Sequence, residues 1–298
     1  MGIKGLGKFI RSKHPQALRE VSLASFRGKQ VAVDAPIFMY RFCAVNPDTF
    51  LAMFQRQIQT FQKHDIVPTY VFDGARTATQ TCLKNGVQQD LKTETLQLRR
   101  KRKANWKEKA EDESLSVAER LSFQQKVNNV PTAEKYRELK QMLVEWEIPF
   151  LVAEGDAEKK CVELCKAGKA EVVFSEDFDV LPFGWNLCTG LGRKKMVEYD
   201  VKILCDSLRL THEEFVDFCI LSGCDYCCTI GNIGPVRALK LLQVHHSIEN
   251  ILQYIDRSKY KVHDHFPYTE ARKEFQTFCS SSPNSSESTT TSCFFEFL

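Results

Sequence analysis

Four short apolar runs, each leading into an aspartate, constrain the fold of this 298-residue chain most strongly. They are QVAVD to Asp34, PTYVFD to Asp73, PFLVAEGD to Asp156 and EVVFSED to Asp177. Helical patterns alternate with these runs, and strands that alternate with helices are typical of an α/β fold. The sequence therefore predicts a mainly parallel central sheet flanked by helices. Its acids should lie at the carboxyl ends of the strands, where ligands of such sheets bind.

Two further segments are predicted to be helical. Residues 92–147 form a long polar stretch, broken near Asn128 to Pro131, with too few apolar positions for a buried pair of strands. We interpret it as a helical arch or cap. The later segment HEEFVDFCILSG has helical apolar spacing and stops at Gly223, and TIGNIGP then leads into VRALKLLQ and SIENILQYI. This pattern predicts a helix, a glycine-rich turn and a further helix.

The overall composition indicates an intracellular globular protein. No run approaches the roughly 18 apolar residues that span a bilayer, and the first residues lack the apolar core of a signal peptide. The twelve cysteines are scattered among apolar neighbours, which favours reduced thiols, and their spacing does not favour a zinc site. The net charge of +3 is too small to indicate a nucleic-acid partner, but Lys92 to Lys109 carries a strong local excess of positive charge.

Seven carboxylates lie at predicted strand ends or helix boundaries: Asp34, Asp73, Asp156, Glu158, Asp177, Asp179 and Asp225. Gathered together, they would raise one another's pKa and destabilise the fold unless cations neutralised them. An all-oxygen set suits Mg²⁺ or Mn²⁺, and two such ions stabilise both the attacking and the leaving oxygen in phosphodiester hydrolysis. The set therefore predicts a metal-activated water that attacks phosphorus.

Structural explanations compete with that prediction at several positions. Asp156 could cap a helix, Glu158 could favour the dipole of that helix, and Asp177 with Asp179 could be turn residues. Asp225 follows a helix C-terminus, where the dipole disfavours a negative charge, so a cation explains it better. Asp34 and Asp73 end apolar strands, and we expect no capping role for either.

Seven motifs together resemble the flap endonuclease family, which includes related 5′ exonucleases and the excision-repair and junction-cutting nucleases. MGIKGL, VAVDA, YVFDG, EGDAE, SEDFD, LSGCDY and IGNIGP occur in the family's order over about residues 1–260. The resemblance implies a PIN-like 5′ nuclease fold. It also implies a site for two Mg²⁺ ions, replaceable by Mn²⁺, built from the seven carboxylates. The family usually has glutamate where this chain has Asp156.

The basic stretch acquires a role from the same resemblance. Lys92 and Arg99 are two helical turns apart and share a helix face, which Arg102 and Lys103 continue. The first two are similar to the family's catalytic pair that contacts the scissile phosphate, and the others would guide the single strand. The alternatives are a solvated helix face or, for RRKRK, a nuclear localisation signal.

TIGNIGP resembles the helix-hairpin-helix turn, which in the family binds a monovalent cation such as K⁺ and approaches a phosphate of the duplex. The positions that match the cation site are Thr229, Ile230 and Ile233, and those near the DNA backbone are Gly231, Gly234 and Arg237. The alternative is a turn that merely ends a helix. Tyr40 matches a position that stacks on a base, unless it is a core aromatic, and Gly2 matches one near the bent template.

Some segments depart from the family's pattern. Asp34 and Asp73 are only 39 positions apart, so the loop that grips a 3′ flap is expected to be reduced. ARTATQTCLKNG, residues 75–86, resembles an insertion of unassigned role. CFFEFL is only faintly similar to a sliding-clamp peptide, with Phe294 and Phe295 as its aromatic pair. Ser288 and Thr291 replace the expected glutamine and aliphatic residue, so the sequence leaves binding to a sliding clamp open.

The resulting hypothesis is a monomeric, structure-specific 5′ nuclease acting on flapped, nicked or branched DNA, in the nucleus or in a cytoplasmic viral replication compartment. The alternatives are a 5′–3′ DNA exonuclease, an RNA-degrading nuclease on the same scaffold, and a non-catalytic DNA-junction scaffold. The predicted organisation is a nuclease region at 1–105, an overlapping arch at 92–147, an internal nuclease region at 148–225, a helix-hairpin-helix region at 226–277 and a disordered tail at 278–298.

Overall fold

A seven-stranded sheet forms the centre of the molecule in the computed structural model, which describes residues 2–74, 101–193, 195–262 and 266–276. The strands are β1 (Leu18–Val21), β2 (Gln30–Asp34), β3 (Val67–Phe72), β4 (Phe150–Val152), β5 (Val172–Phe174), β6 (Leu187–Thr189) and β7 (Met196–Tyr199). Their order across the sheet is β1-β7-β6-β5-β2-β3-β4. The pairings among β6, β5, β2, β3 and β4 are parallel, and β7 is antiparallel to both of its neighbours. The predicted α/β fold with a mainly parallel sheet is therefore confirmed.

Helices cover both faces of this sheet and extend beyond it. They are α1 (Leu6–Lys13), α2 (Ala35–Val45), α3 (Phe50–Lys63), α4 (residues 101–111), α5 (Val117–Asn128), α6 (Ala133–Glu145), α7 (Ala157–Lys166), α8 (Val201–Leu208), α9 (His212–Ser222), α10 (Pro235–His245), α11 (Ile248–Tyr254) and α12 (Tyr268–Gln276). Within the described ranges, none combines the length and the apolar character that a bilayer span requires.

Alternate residues of the central strands enter two separate apolar layers. In β2, Ala32 packs with α1, α7 and α9, whereas Val31 and Val33 pack with α2, α3 and α6 on the other face. The second layer is rich in aromatic side chains such as Phe54, which is fully buried. Full burial of one such ring stabilises the fold by about 2 kcal/mol. The strands are thus fixed from both sides, so their carboxyl ends form a rigid edge.

The polar stretch after β3 is helical where the structure describes it. None of the residues of α5 is buried, and its first turn is closed by a capping box between Ser116 and Glu119. The helical break expected near residues 128–131 lies between α5 and α6. The last helix, α6, packs on the sheet through Leu139, Met142 and Leu143. The exposed part of this segment therefore comprises α4 and α5, and α6 belongs to the body of the molecule.

The helices after the sheet follow the predicted order of helix, glycine-rich turn and helix. Helix α9 begins with a capping box at Thr211 and ends at Gly223, whose φ of 103° lies in a region that side chains other than hydrogen disfavour. Gly234 precedes α10, which begins with Pro235. The backbone N–H of Lys4 donates to the carbonyl of Gly223 at 2.9 Å. This contact ties the N-terminus of the chain to the turn.

Candidate active site

Asp34, at the end of β2, is buried at the carboxyl edge of the sheet. Its carboxylate accepts a 2.5 Å hydrogen bond from Ser175 Oγ and a 3.4 Å bond from the N–H of Ile37, in the first turn of α2. The expectation that Asp34 has no capping role is therefore wrong, because it caps α2. Burial raises the pKa of Asp34 to about 7, Ser175 opposes this rise, and nearby Asp177 and Asp73 add to it.

Asp73 follows β3 and is exposed. Its Oδ1 accepts a 2.9 Å hydrogen bond from the N–H of Ala157, the first residue of α7. Asp73 therefore caps a helix that is distant in sequence, and the expectation that it has no capping role is also wrong. Asp156 stands at the N-cap position of α7 but makes no capping bond with its own side chain. The suggestion that Asp156 merely caps a helix is therefore not supported.

Asp156 and Glu158 lie at the start of α7, on the same edge of the sheet. The Tyr226 hydroxyl donates a 3.0 Å hydrogen bond to Asp156 Oδ2. Burial raises the pKa of Glu158 well above its ordinary value, and the charges of Asp156 and Asp34 raise it further. Burial raises the pKa of Tyr226, and the charges of Asp156 and Glu158 raise it further, so its hydroxyl stays protonated and donates. The start of α7 thus presents Asp156 beside Glu158, and the ionised form of Glu158 is disfavoured by burial and by the neighbouring acids.

Asp177 and Asp179 lie in a short 3₁₀ turn after β5. Asp177 Oδ1 accepts a 3.1 Å hydrogen bond from the N–H of Asp179, and Ser175 Oγ accepts a 3.0 Å bond from the N–H of Asp177. The turn role proposed for these residues is therefore real. Asp177 also lies near the other acids. Burial raises the pKa of Asp177, the hydrogen bond from Asp179 opposes this rise, and the charges of Asp225 and Asp156 add to it.

Gly2 closes one side of this turn. A Cβ atom at Gly2 would stand 2.0 Å from Asp177 Oδ1 and 2.8 Å from Asp179 Oδ1, and its φ is +82°. Any larger residue would displace both carboxylates and strain the backbone. The structure therefore places Gly2 directly against the acidic edge.

All seven predicted acids belong to one electrostatic group. Asp225 is exposed just after α9, and its charge contributes to the raised pKa of Asp177. In the same way, the charges of Asp73 and Asp177 contribute to the raised pKa of Asp34. The raised pKa of Glu158 includes contributions from Asp156, Asp34, Asp177 and Asp179. The structure thus gathers at one edge the seven residues Asp34, Asp73, Asp156, Glu158, Asp177, Asp179 and Asp225.

The donor chemistry of this edge fits a hard divalent cation. Every charged group in the set offers carboxylate oxygens, which Mg²⁺ and Mn²⁺ prefer. Burial is the main cause of the raised pKa of Asp34 and of Glu158, and the neighbouring acids raise it further, so a bound cation would favour the ionised carboxylates. Within the described ranges, no three His, Cys, Asp or Glu side chains already surround a common point as ligands.

Three residues that support the edge were missed by the motif analysis. Ser175 bonds to both Asp34 and the backbone of Asp177, and Tyr226 bonds to Asp156. Ser175 lies two positions before Asp177 in SEDFD, and Tyr226 directly follows Asp225 in LSGCDY. That adjacency is the only signal that could have identified them. Arg41, next to Tyr40, has no such motif.

Arg41 ties α2 to the loop between β6 and β7. Its Nη1 donates a 2.7 Å bond to the carbonyl of Leu191 and lies 3.5 Å from Glu176 Oε1. Glu176 also accepts from the N–H of Gly190 at 3.1 Å and pairs with Arg193 at 3.2 Å. Because β6 is parallel to β5, this basic loop follows the carboxyl end of β6 and stands at the same edge as the acids.

The predicted contacts of the glycine-rich turn are partly used inside the protein. The N–H of Gly231 donates to the carbonyl of Lys261 at 2.9 Å, and Arg237 Nη1 donates to the carbonyl of Asn232 at 2.5 Å. The N–H of Ile233 donates to the carbonyl of Ile230 at 3.2 Å, and both isoleucines are buried. Thr229 is half-buried, and Gly234 precedes α10. The roles of this turn toward DNA and a monovalent cation stay predictions.

The remaining predicted positions divide between described and undescribed parts of the chain. Tyr40 is 39% exposed on α2, so it is not a core aromatic. Arg102 is exposed and Lys103 is half-buried on α4. Lys92 and Arg99 lie outside the described residues, as do the insertion at 75–86 and the tail that contains Ser288, Thr291, Phe294 and Phe295. The cysteines that the structure describes are all buried.

Two family models match most of the chain: the XPG N-terminal domain matches residues 1–106 and the XPG I-region matches residues 147–225. Flap endonuclease 1 of Salmo salar is 35% identical over 92% of this chain and 74% of that protein. Flap endonuclease 1 of Drosophila grimshawi is 36% identical over 92% of this chain and 73% of that protein.

The solved structures of similar fold are nucleases. The catalytic core of Rad2 in complex with a DNA substrate has a TM-score of 0.67 at 21% identity and covers 90% of this chain and 85% of that chain. The flap endonuclease-1 from Methanococcus jannaschii has a TM-score of 0.58 at 18% identity, with coverage of 87% and 81%. These likenesses confirm the PIN-like fold, and the identity to the curated relatives establishes the rest: the chain belongs to the flap endonuclease family of structure-specific 5′ nucleases.

Proposed function

We propose that the chain hydrolyses phosphodiester bonds of flapped, nicked or branched DNA near the junction, using two Mg²⁺ ions at the carboxyl edge of the sheet, where Mn²⁺ can substitute. The observation that supports this proposal is the electrostatic linkage of the seven carboxylates. A group of acids that raise one another's pKa is stabilised when divalent cations bind it. The DNA complexes of Rad2 and of human GEN1 among the similar structures support a DNA substrate.

The proposed ligands are Asp34, Asp73, Asp156, Glu158, Asp177, Asp179 and Asp225. Bound divalent ions would supply an activated water and would neutralise charge on the phosphate that is attacked. The protein side chains hold the edge in place: Ser175 fixes Asp34, and Tyr226 fixes Asp156. Asp73 contributes a second function, because it also caps α7 and so orients the turn that presents Glu158.

The basic residues of the polar stretch are proposed to act on the phosphate and the single strand. Lys92 and Arg99 would contact the scissile phosphate, and Arg102 and Lys103 on α4 would guide the strand. Gly2, Tyr40 and the turn formed by Gly231, Gly234 and Arg237 would bind the duplex. Thr229, Ile230 and Ile233 would hold a K⁺ ion there. Apart from stacking of Tyr40 on a base, these contacts are to the DNA backbone and none reads a base edge, so sequence readout should be negligible.

Arg99→Ala tests the phosphate role directly. Because a contact that strengthens in the transition state affects turnover more than ground-state binding, cleavage should slow much more than DNA affinity falls. Single-turnover cleavage and fluorescence-anisotropy binding measure the two quantities. A loss confined to affinity would contradict the role.

One assay separates the proposed activity from its alternatives. A 5′-labelled flap, a nicked duplex and single-stranded RNA are incubated with Mg²⁺ and either the wild type or Asp177→Asn. We expect cleavage of the DNA substrates by the wild type and a loss of about 10³-fold in the variant, since one ligand to the ions is neutralised. Inactivity of the wild type on DNA would favour a junction scaffold or, if RNA is cut, an RNA-degrading nuclease. Undiminished cleavage by the variant would disprove the site.

The cut position distinguishes flap cleavage from 5′–3′ exonuclease action. Release of the intact flap indicates endonucleolytic cutting, and release of mononucleotides indicates exonuclease action. We propose that the enzyme acts as a monomer in DNA replication or repair in the nucleus. The eukaryotic relatives at about 35% identity support that location.

A further inference from the structure

Tyr226 and Asp156 meet at the acidic edge from segments 70 positions apart in the chain. The Tyr226 hydroxyl donates to Asp156 Oδ2 at 3.0 Å, and the ring is 3% exposed. Phe183 and Phe275 pack edge-on against this ring, with centroid distances of 6.5 and 5.1 Å and interplanar angles of 78° and 86°. The hydroxyl is therefore held in a fixed position against the carboxylate.

The first turn of α7 explains why Asp156 can be oriented from outside its own helix. An aspartate at an N-cap position commonly accepts a bond from the backbone of its own first turn. Asp156 makes no such side-chain capping bond, and the N–H of Ala157, the first residue of α7, donates to Asp73. The carboxylate of Asp156 instead accepts the hydrogen bond of the Tyr226 hydroxyl. One oxygen accepts from the hydroxyl, and the other oxygen is oriented by the same bond.

We propose that Tyr226 is a positioning residue that orients the carboxylate of Asp156 for binding a divalent cation at the acidic edge. This inference rests on the proposed function. Second-sphere hydrogen bonds of this kind fix the direction in which a ligand presents its lone pairs, and their loss lowers metal affinity. Tyr226 does not contact the cation or the phosphate in this arrangement. Its whole effect passes through Asp156.

The packing around Tyr226 also connects the acidic edge to α12, the last helix that the structure describes. Phe275 belongs to α12, and Arg272 of that helix donates to Asp217 of α9 at 2.9 Å. Lys159 of α7 pairs with Glu274 of α12 at 3.9 Å. Helix α12 is therefore anchored to both α9 and α7, and its Phe275 packs against the Tyr226 ring. A change in α12 should reach the cation site through Tyr226.

The inference is tested by a double-mutant cycle on the full chain, with Tyr226→Phe, Asp156→Ala and the double variant. Mn²⁺ affinity is measured by electron paramagnetic resonance of the free ion, without DNA, and cleavage of a 5′ flap is measured across a Mg²⁺ titration. We expect Tyr226→Phe to weaken Mn²⁺ binding about tenfold and to raise the Mg²⁺ concentration for half-maximal cleavage by a similar factor. In the Asp156→Ala background it should change neither value.

Tyr70→Phe is the matched control. Tyr70 is also a fully buried tyrosine, and its hydroxyl donates to Gln57 Oε1 at 2.7 Å in the opposite apolar layer. Its removal should leave Mn²⁺ affinity unchanged. Phe275→Leu serves as a second probe in case Tyr226→Phe does not fold. It should weaken Mn²⁺ binding by about threefold in the wild type, less than loss of the hydroxyl itself, and not at all in an Asp156→Ala background.

The outcomes separate this inference from the proposed function. A wild type that neither binds Mn²⁺ nor cleaves DNA would overturn the proposed function. A wild type that does both, together with an unchanged affinity in Tyr226→Phe, would overturn the inference alone. An equal loss in the Asp156→Ala background would also overturn it, because Tyr226 would then act by another route. Loss of affinity only when Asp156 is present supports it.

Discussion

Buried carboxylates in two regions of this molecule have opposite electrostatic surroundings. In the helical region, Asp217 accepts two 2.9 Å bonds from Arg272 and a 3.3 Å bond from the N–H of Ile248. Burial raises the pKa of Asp217, and Arg272 opposes that rise. At the acidic edge of the sheet, burial also raises the pKa of Asp34 and Glu158. There the charged neighbours are other acids, which add to the rise instead of opposing it.

The difference shows which region is arranged for stability and which for binding. The Asp217 site contains its own cation, Arg272, which pairs with both Asp217 and Glu249, so the buried acid has a positive partner when the chain folds. At the acidic edge, folding brings carboxylates together against their mutual repulsion, and the fold tolerates this because both apolar layers hold the strands. Such an arrangement stabilises the protein only when a cation arrives. Functional sites commonly retain a local arrangement that destabilises the empty protein.

Asp34→Asn should produce the largest effect and the sharpest contrast. Removal of one buried charge should slow cleavage by at least about 10³-fold, close to 4 kcal/mol in the activation barrier, because a cation ligand is lost. The same change should raise the free energy of unfolding by about 1 kcal/mol, since it relieves repulsion. Single-turnover cleavage and urea unfolding without divalent cations measure the two effects. A variant that is both active and less stable would remove the distinction between the regions.

Arg272→Met should do the opposite at the second region. Loss of the guanidinium leaves Asp217 buried without its cation, so the free energy of unfolding should fall by about 3 kcal/mol. The matched control is Arg137→Met, because Arg137 pairs with Glu134 on the surface, where both side chains are largely exposed. Such an exposed pair contributes less than about 1 kcal/mol. Equal losses in the two variants, measured by urea unfolding, would show that burial of Asp217 is unimportant.

Divalent cations should stabilise the protein only through the acidic edge. At a Mg²⁺ concentration 100 times its dissociation constant, linkage predicts a gain of about 2.7 kcal/mol. Arg272→Met should retain this gain, although it starts from a lower stability, and Asp34→Asn should lose most of it. Thermal unfolding with Mg²⁺, and with K⁺ at matched ionic strength, measures the difference. A gain of the same size in all three proteins would indicate nonspecific screening instead of a site.

The position of the acidic edge could be predicted from the sequence because its signals are local. A β-branched run fixes a strand, the alternation with helices makes the strands parallel, and an acid at each carboxyl end must then lie near the others. Asp34 and Asp177 both follow this logic. The glycine-rich turn after α9 was predicted in the same way, from helical spacing and Gly223.

The hydrogen bonds within the edge could not be predicted, because their partners are remote in sequence. Asp73 caps a helix 84 positions later in the chain, and Tyr226 bonds to Asp156 across 70 positions. No local pattern encodes which strand end meets which helix end. For the same reason, capping was assigned to Asp156 and denied to Asp73, and the structure shows the reverse. Arg41 was missed because its partners, Leu191 and Glu176, lie far along the chain.

Ser175→Ala should give the smallest effect. It tests whether a hydrogen bond within the acidic edge offsets the effect of burial on the pKa of Asp34. Ser175 Oγ donates to Asp34 and accepts from the N–H of Asp177, and Ser175 lowers the pKa of Asp34 against the effect of burial. Its removal should therefore raise that pKa above about 7, so Asp34 would ionise, and bind a cation, only at higher pH. The expected loss of cleavage near neutral pH is about fivefold, or close to 1 kcal/mol for one hydrogen bond.

The sign of the pH dependence makes the Ser175→Ala test specific. A carboxyl whose folded pKa is raised favours the folded state at low pH, and that contribution is lost as the pH rises through the raised value. In the absence of divalent cations, stability should therefore fall between about pH 4 and pH 7, and Ser175→Ala should extend the fall to higher pH. Cleavage should show the reverse trend, with its acid limb shifted upward. Ser207→Ala, at a hydroxyl that bonds to His14 and Leu204 instead, should shift neither profile. An unshifted acid limb in Ser175→Ala would mean that the ionisation of Asp34 does not limit cation binding. The carboxylates of the acidic edge would then behave more like Asp217, whose charge already has a partner in the folded protein.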